Sequence, residues 1–246
     1  MKFEIDAKVL SNALSDIQGK GKYGLVYSNL NDLVLCSLEG DVLEIWNANT
    51  TLSLNINLPV TSITDGEIVF DAKELLPFLK KFNGIITVEG GDVLTITDEE
   101  QNVTLPRIVL HPNQNAISRL KGMLNHVFYE TPEELFLFGN GKFEGAFTLD
   151  ADYFKETIDM CELVKSGIYR LDYTGQELTM SSENTPTNKY SRELPIENAI
   201  GEPATVEWSS PLHKFFKGEI NFYVKDEFPL LLISEDRKLI CAPHTR

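Results

Sequence analysis

Four times along this chain an apolar, strand-like segment runs into an aspartate or serine that opens a helical apolar pattern. Phe3-Glu4-Ile5-Asp6-Ala7 leads to Leu10 and Leu14, and Ile68-Val69-Phe70-Asp71-Ala72 leads to Leu75 and Leu79. Phe147-Thr148-Leu149-Asp150-Ala151 leads to Phe154 and Ile158, and Val206-Glu207-Trp208-Ser209 leads, less regularly, to Leu212 and Phe216. A carboxylate or hydroxyl at that point accepts the orphan amides of a first helical turn, so each copy reads as strand, N-cap and amphipathic helix. The copies begin at positions 3, 68, 147 and 206, spacings of 65, 79 and 59 residues, so the chain is an internal repeat.

Short apolar runs broken by turn residues follow each helix. After a loop at Gly19-Lys20-Gly21-Lys22 they fall at 24–28, 33–38, 42–47 and 51–58. In the second copy they fall at 84–89, 93–97 and 102–109, with Gly90-Gly91-Asp92 as a hairpin turn. The third has 168–173, 177–182 and 189–195, and the fourth 219–224, 229–234 and 237–242. Such spacing indicates antiparallel sheets. The expected fold class is α+β: two similar domains, each of two βαβββ units, with helices on one face of antiparallel sheets. The expected boundaries are 1–111, a connector at 112–145, and 146–246. Pro77 lies inside the second helix, which is therefore either kinked or begins later than Asp71 indicates. In the connector, Ile117, Leu120, Leu124, Val127 and Phe128 have helical spacing, and Gly139-Asn140-Gly141-Lys142 marks a turn.

The formal net charge is −15. That argues against a simple nucleic-acid binder, which carries a basic balance. It is compatible with a protein that encloses DNA, where one surface alone needs positive charge. An apolar content of 42% is ample for packed cores. No run approaches the ~18 apolar residues of a membrane span, and Met-Lys-Phe-Glu has no signal-peptide pattern. Cys36, Cys161 and Cys241 are odd in number, and each lies in or before an apolar stretch. They read as buried free thiols, and the chain reads as intracellular.

The residues supply no catalytic constellation. His111, His126, His213 and His244 lack metal-ligand spacing. Neither a nucleophile elbow, a Walker loop nor a dinucleotide fingerprint is present. The Gly139–Lys142 stretch lacks the spacing and following helix of a phosphate loop, and Glu99-Glu100 and Glu133-Glu134 read as solvated faces. The expectation is therefore no enzyme, no catalytic residue, no metal and no cofactor.

The C-terminus carries a resemblance. Glu227-Phe228-Pro229-Leu230-Leu231-Leu232 followed by Arg237-Lys238-Leu239-Ile240-Cys241-Ala242-Pro243 resembles the end of a DNA sliding clamp of the proliferating cell nuclear antigen (PCNA) family. That family closes on a proline-containing strand, a turn, and Leu-Ala-Pro with a basic residue. Here Cys241 stands in place of the leucine and His244 in place of the basic residue. Met1 to Ile17 and Phe147 to Val164 are also similar to clamp elements, and the fourfold βαβββ unit is that family's architecture. The opening Met-Lys-Phe is similar to the bacterial clamp too, which has three domains per chain where this length accommodates two.

The resemblance implies a ring-forming polymerase processivity factor. It would encircle duplex DNA without reading sequence, tether DNA polymerase and other replication or repair proteins, and require a clamp loader. Helices spaced ~9 Å apart put twelve of them on a circle about 34 Å across, and removing a helix diameter of ~10 Å leaves a bore of roughly 24 Å. That admits a duplex of roughly 20 Å, whereas two chains leave only about 13 Å, so a homotrimer is expected. The resemblance also implies that edge strands near 102–110 and 176–182 make the subunit contacts. The DNA-facing polar sides would carry Lys8, Ser11, Asn12 and Ser15 with Lys20 and Lys22; Lys73, Lys80 and Lys81; Lys155, among Asp152, Glu156, Asp159 and Glu162; and His213, Lys214 and Lys217. A partner-peptide pocket beneath the connector would be lined by Pro229, Ala242 and Pro243. The alternatives left open are a non-circular polymerase accessory protein and a checkpoint-type clamp subunit in a heterotrimer.

Overall fold

The aspartate caps set the pattern of the first half. The computed structural model describes residues 1–17, 32–109, 116–130 and 135–244, and its chain divides into two units, Met1–Gly122 and Met123–Arg246. In the first unit β1 (Lys2–Asp6) runs directly into α1 (Ala7–Ile17). Asp6 Oδ1 accepts the amides of Lys8 and Val9 at 2.9 and 3.2 Å. Four strands follow: β2 (Leu33–Glu39), β3 (Val42–Ala48), β4 (Leu52–Pro59) and the short β5 (Thr61–Thr64). Then β6 (Gly66–Asp71) runs into α2 (Ala72–Leu79), with Asp71 accepting the amides of Lys73 and Glu74. The unit continues with β7 (Ile85–Gly90), β8 (Val93–Thr97), β9 (Asn102–Pro106) and α3 (Ala116–Lys121).

Two antiparallel strand groups result, β5-β1-β7-β8-β9 and β4-β3-β2-β6. The helices α1 and α2 pack on each other and bury Leu10, Leu14 and Ile17 from one and Leu75, Leu76 and Leu79 from the other. Pro77 leaves the start of α2 at Ala72, as Asp71 indicates, and lies near its end. Beyond it the chain tightens, with the Lys81 and Phe82 amides bonding the carbonyls three residues back. On β2 and β3, α3 sets Leu120 against Leu35 and Val69, and the Lys121 ammonium lies 5.0 Å from the Trp46 ring centroid.

The second unit begins with a three-stranded sheet, β10 (Val127–Glu130), β11 (Leu135–Phe138) and β12 (Gly141–Lys142). Then β13 (Gly145–Asp150) runs into α4 (Ala151–Val164), capped by Asp150 on the Asp152 amide. There follow β14 (Tyr169–Tyr173), β15 (Leu178–Thr185), β16 (Asn188–Leu194), β17 (Glu197–Gly201) and β18 (Ala204–Trp208). After a 3-10 turn at Leu212–Phe215 come β19 (Glu219–Val224), β20 (Leu230–Ile233) and β21 (Arg237–Cys241). The strand orders β17-β13-β19-β20-β21 and β16-β15-β14-β18 repeat those of the first unit, element for element. Even the register irregularities match: β1 slips against β5 after Lys2, and β13 slips against β17 after Ala146. Between sheet and helix, Phe147 stacks on Phe222, with Phe154 edge-on to the latter.

The sequence-based expectations differ from the structure in several places. The fourth helix is a four-residue 3-10 turn whose N-cap position is Pro211, with no side-chain cap bond. Its apolar run meets Gly218 too soon for a second helical turn. The connector's helical spacing at 117–128 resolves into α3, a 3-10 turn at Gly122–His126 and strand β10. The strand expected at 102–109 ends at Pro106, and the short strands β5 and β17 were not expected. The turns at Gly90-Gly91-Asp92 and Gly139–Lys142 are hairpins, whereas the strand expected at 24–28 lies outside the described residues.

In both units a glycine just before the seventh strand of the pattern accepts the first helical amide: Ala7 N bonds Gly84 O at 2.9 Å and Ala151 N bonds Gly218 O at 2.7 Å. These glycines have φ of +73° and +67°. We expect Gly84→Ala and Gly218→Ala each to lower stability by about 1–2 kcal/mol in urea titrations, the cost of a β-carbon in the left-handed region. Gly91→Ala, whose added carbon meets open space, should change it by less than about 0.5 kcal/mol.

Candidate functional site

The exposed sides of α1 and α2 carry cations. Lys8 stands in the first turn of α1, Lys73 in the first turn of α2, and Lys80 and Lys81 at its C-terminal end; all four are exposed. A cation at a helix C-terminus is favoured by the uncompensated carbonyls there. Glu74 is the exposed acid on α2, and Asn12 is the exposed amide on α1. Ser11, expected on the polar face, is buried, and Ser15 is half-buried. Lys20 and Lys22 lie outside the described residues.

The corresponding surface of the second unit is different. Lys155 is exposed on α4 but stands between exposed Asp152 and Glu156, with Asp159 and Glu162 half-buried further along. Glu156 is bonded to Arg192 of β16 at 3.1 Å. Lys217 is exposed and Lys214 half-buried. His213, expected on the polar face, is buried, with Nε2 4.0 Å from Asp159 Oδ1. Burial drives its pKa down to about 4, with Lys155 and Lys214 adding to the effect and Asp159 opposing it. The same helix exposes Tyr153 (42%), Met160 (44%) and Leu163 (54%), an apolar strip beside the edge strand β16. The helix layers of the two units thus differ in charge, and where the first has α2 the second has only the 3-10 turn at Leu212–Phe215.

At the C-terminus, β21 pairs with β20, Leu230 opposite Cys241, and the tail continues along β18, where the His244 amide donates to the Glu207 carbonyl at 2.7 Å. A cavity of about 500 Å³ is lined there by Thr205, Val206, Glu207, Glu227, Phe228, Pro243 and His244. Of the three residues expected at a partner pocket, Pro243 is in this lining. Pro229 is buried and Ala242 half-buried, and neither is in the lining. Phe228 was not among the residues expected there, although it stands in the C-terminal motif. Its ring is wedged edge-on against Phe138 (5.7 Å) and Phe143 (5.2 Å), neighbours from segments that no local pattern links.

A polar cluster backs the cavity. Arg170 binds Asp172 through Nε and Nη2 at 2.8–3.0 Å and Glu207 through Nη1 at 3.3 Å, and Thr205 Oγ1 donates to Asp172 at 2.8 Å. Partial burial alone would raise the Asp172 pKa, but these bonds and the Arg170 charge hold it below the usual carboxylate range. Cys36, Cys161 and Cys241 are buried free thiols, each pushed up to about 12 by burial. Among the described residues no group of three or more His, Cys, Asp or Glu side chains is placed to hold a metal ion, and no helix is long and apolar enough to cross a membrane.

Solved structures share this arrangement over the whole chain. PCNA from Thermococcus kodakaraensis matches with a TM-score of 0.70 at 14% identity, covering 99% of each chain. PCNA from A. fulgidus, with the C-terminal region of FEN-1 bound, matches at 0.72 and 12% identity, covering 100% of this chain and 98% of the other. The DNA polymerase III beta subunit from Thermotoga maritima matches at 0.71 and 14% identity; this chain, covered in full, spans 66% of its length. The chain has the sliding-clamp fold. No protein-family model and no curated protein matches its sequence, which marks it as a divergent example of that fold. The two units repeat one strand order, and that order corrects one expectation taken from the resemblance. Of the contact stretch expected at 176–182, residues 178–182 fall on β15, which is paired on both sides; the edge strand beside it is β16.

The buried His213 gives a test. In the unfolded chain it protonates near pH 6.5, while in the folded chain it stays neutral down to about pH 4. The unfolded state therefore binds the extra proton in that window, and stability falls as pH drops from about 6.5 toward 4. In urea titrations across that range His213→Gln should have the shallower pH dependence, by up to about 1.4 kcal/mol per pH unit.

Proposed function

We propose that this chain is a DNA sliding clamp: a polymerase processivity factor that closes into a ring of three copies around duplex DNA. The observation that carries the reading is the clamp fold in both units combined with a lysine-bearing helix surface on a chain of net charge −15. A uniformly acidic protein is repelled by DNA. One that presents Lys8, Lys73, Lys80 and Lys81 on the exposed sides of α1 and α2 can hold phosphates weakly there and slide. In the second unit Lys155, Lys214 and Lys217 are proposed for the same role, diluted by Asp152 and Glu156. Lys20 and Lys22 are proposed for it on sequence grounds alone.

Closure is supported by the edges. β9 ends one sheet of the first unit and β16 ends one sheet of the second. Unpaired edges of this kind invite pairing with another chain. The strip of Tyr153, Met160 and Leu163 beside β16 adds apolar surface that a second copy would cover. In the proposed ring, β9 of one copy pairs with β16 of the next. A clamp loader opens the ring, and DNA polymerase and other replication or repair proteins dock through short peptides near Pro229, Ala242 and Pro243. The domains proposed for these roles are 1–111 and 146–246, joined by the connector at 112–145.

Retention on DNA tests the topology. Loaded protein should stay on closed circular DNA through a high-salt wash and be released once the circle is linearised. Equal release from both forms would favour a non-circular accessory protein. Replacing Lys73, Lys80 and Lys81 together by Glu should weaken DNA binding. It should also reduce the slope of log affinity against log salt by up to about 0.9 for each phosphate that the variant no longer neutralises.

A further inference from the structure

The 500 Å³ cavity at the C-terminal tail has a chemistry that the fold does not dictate. Its apolar part is Val206, Phe228 and Pro243, and its charged lining is Glu207 and Glu227. The Glu207 side chain is only 14% exposed and shares Arg170 with Asp172. Glu227 is exposed on the turn between β19 and β20 and adopts φ +54°, an unusual conformation for a residue with a β-carbon. Next to it, Asp226 accepts the Thr205 amide at 2.6 Å. The nearby ammonium of Lys225 is engaged by Glu144 at 2.5 Å and lies 5.6 Å from the Phe228 ring centroid. The cavity lining thus holds two carboxylates, Glu207 and Glu227, with Asp226 beside them and His244 at the tail, while Glu144 pairs with Lys225 and Asp172 with Arg170. Apolar walls lower the local dielectric, so this negative excess acts more strongly on an entering charge than it would in open water.

We propose that the cavity selects a basic peptide segment: an arginine or lysine of a client directed to Glu207 and Glu227, beside an apolar side chain set against Phe228 and Pro243. This rests on the clamp reading for the identity of the client and adds the charge that the client must carry. Along β18 the Thr205 amide is taken by Asp226 and the Glu207 carbonyl by the His244 amide, so the track for a client segment runs over the side chains of the cavity and not as an added strand. An acidic segment meets like charge on the same track and is rejected, which supplies the negative half of the specificity.

The test uses the full-length chain, isotopically labelled, titrated by NMR with two blocked synthetic pentapeptides, Gly-Leu-Arg-Leu-Gly and Gly-Leu-Glu-Leu-Gly. The arginine peptide should shift the amide resonances of Thr205, Glu227, Phe228 and His244 and bind more weakly as salt rises. Its affinity should fall about fivefold or more in Glu227→Lys, with Glu227→Gln between the two. The glutamate peptide should leave those resonances in place. Equal shifts from both peptides, no shift from either, or unchanged affinity in a Glu227→Lys protein with a native thermal transition would each overturn the inference. Retention on circular DNA is read separately: retention without peptide discrimination removes this inference alone, and discrimination without retention removes the clamp reading alone.

Discussion

Each half of the molecule depends on one junction, where a strand ends in aspartate and the next residue begins a helix. The carboxylate of Asp6 or Asp150 takes amides of the first turn, while the first helical amide itself is taken by the carbonyl of Gly84 or Gly218. That amide bond ties the helix start to the loop that leads into β7 or β19, the strand paired with β1 or β13. Helix and central strand pair are therefore fixed together, and the apolar side of α1 or α4 has one place to go. Asp71 repeats the cap, with the Ala72 amide held by the Asp32 carbonyl at 2.8 Å. Where the aspartate is missing, at Ser209-Ser210-Pro211, the same place in the pattern holds only a 3-10 turn.

That junction was the legible part of the sequence, because its determinants are local: a β-pattern, a capping side chain and apolar residues at helical spacing. The hairpins at Gly90-Gly91-Asp92 and Gly139–Lys142 were legible for the same reason. β5 was not, since Thr61-Ser62-Ile63-Thr64 is mostly exposed and is held by pairing with the distant β1 rather than by its own pattern. The connector misled because Leu120 and Leu124 are both buried and helically spaced, yet the chain between them turns at Gly122, whose φ is +54°. At the candidate site the exposed lysines could be read from helical phase. The burial of His213 and the placing of Phe228 could not, because each follows from tertiary packing.

The charge pattern ties the two ends of the functional account together. Four exposed lysines, Lys8, Lys73, Lys80 and Lys81, stand on the outward sides of α1 and α2, while α4 and the tail cavity carry more carboxylates than cations. In the proposed clamp the first surface holds a duplex loosely and the cavity discriminates among clients by sign of charge. A protein working by enclosure has no need of a broad basic face, which is how an overall charge of −15 becomes compatible with life on DNA.

Enclosure requires copies of the chain to join edge to edge, so the central claim is a statement about mass. Light scattering across a dilution series should give three times the 27.7 kDa of the chain, held over the range in which the protein retains circular DNA. A mass of one chain throughout that range would contradict the account.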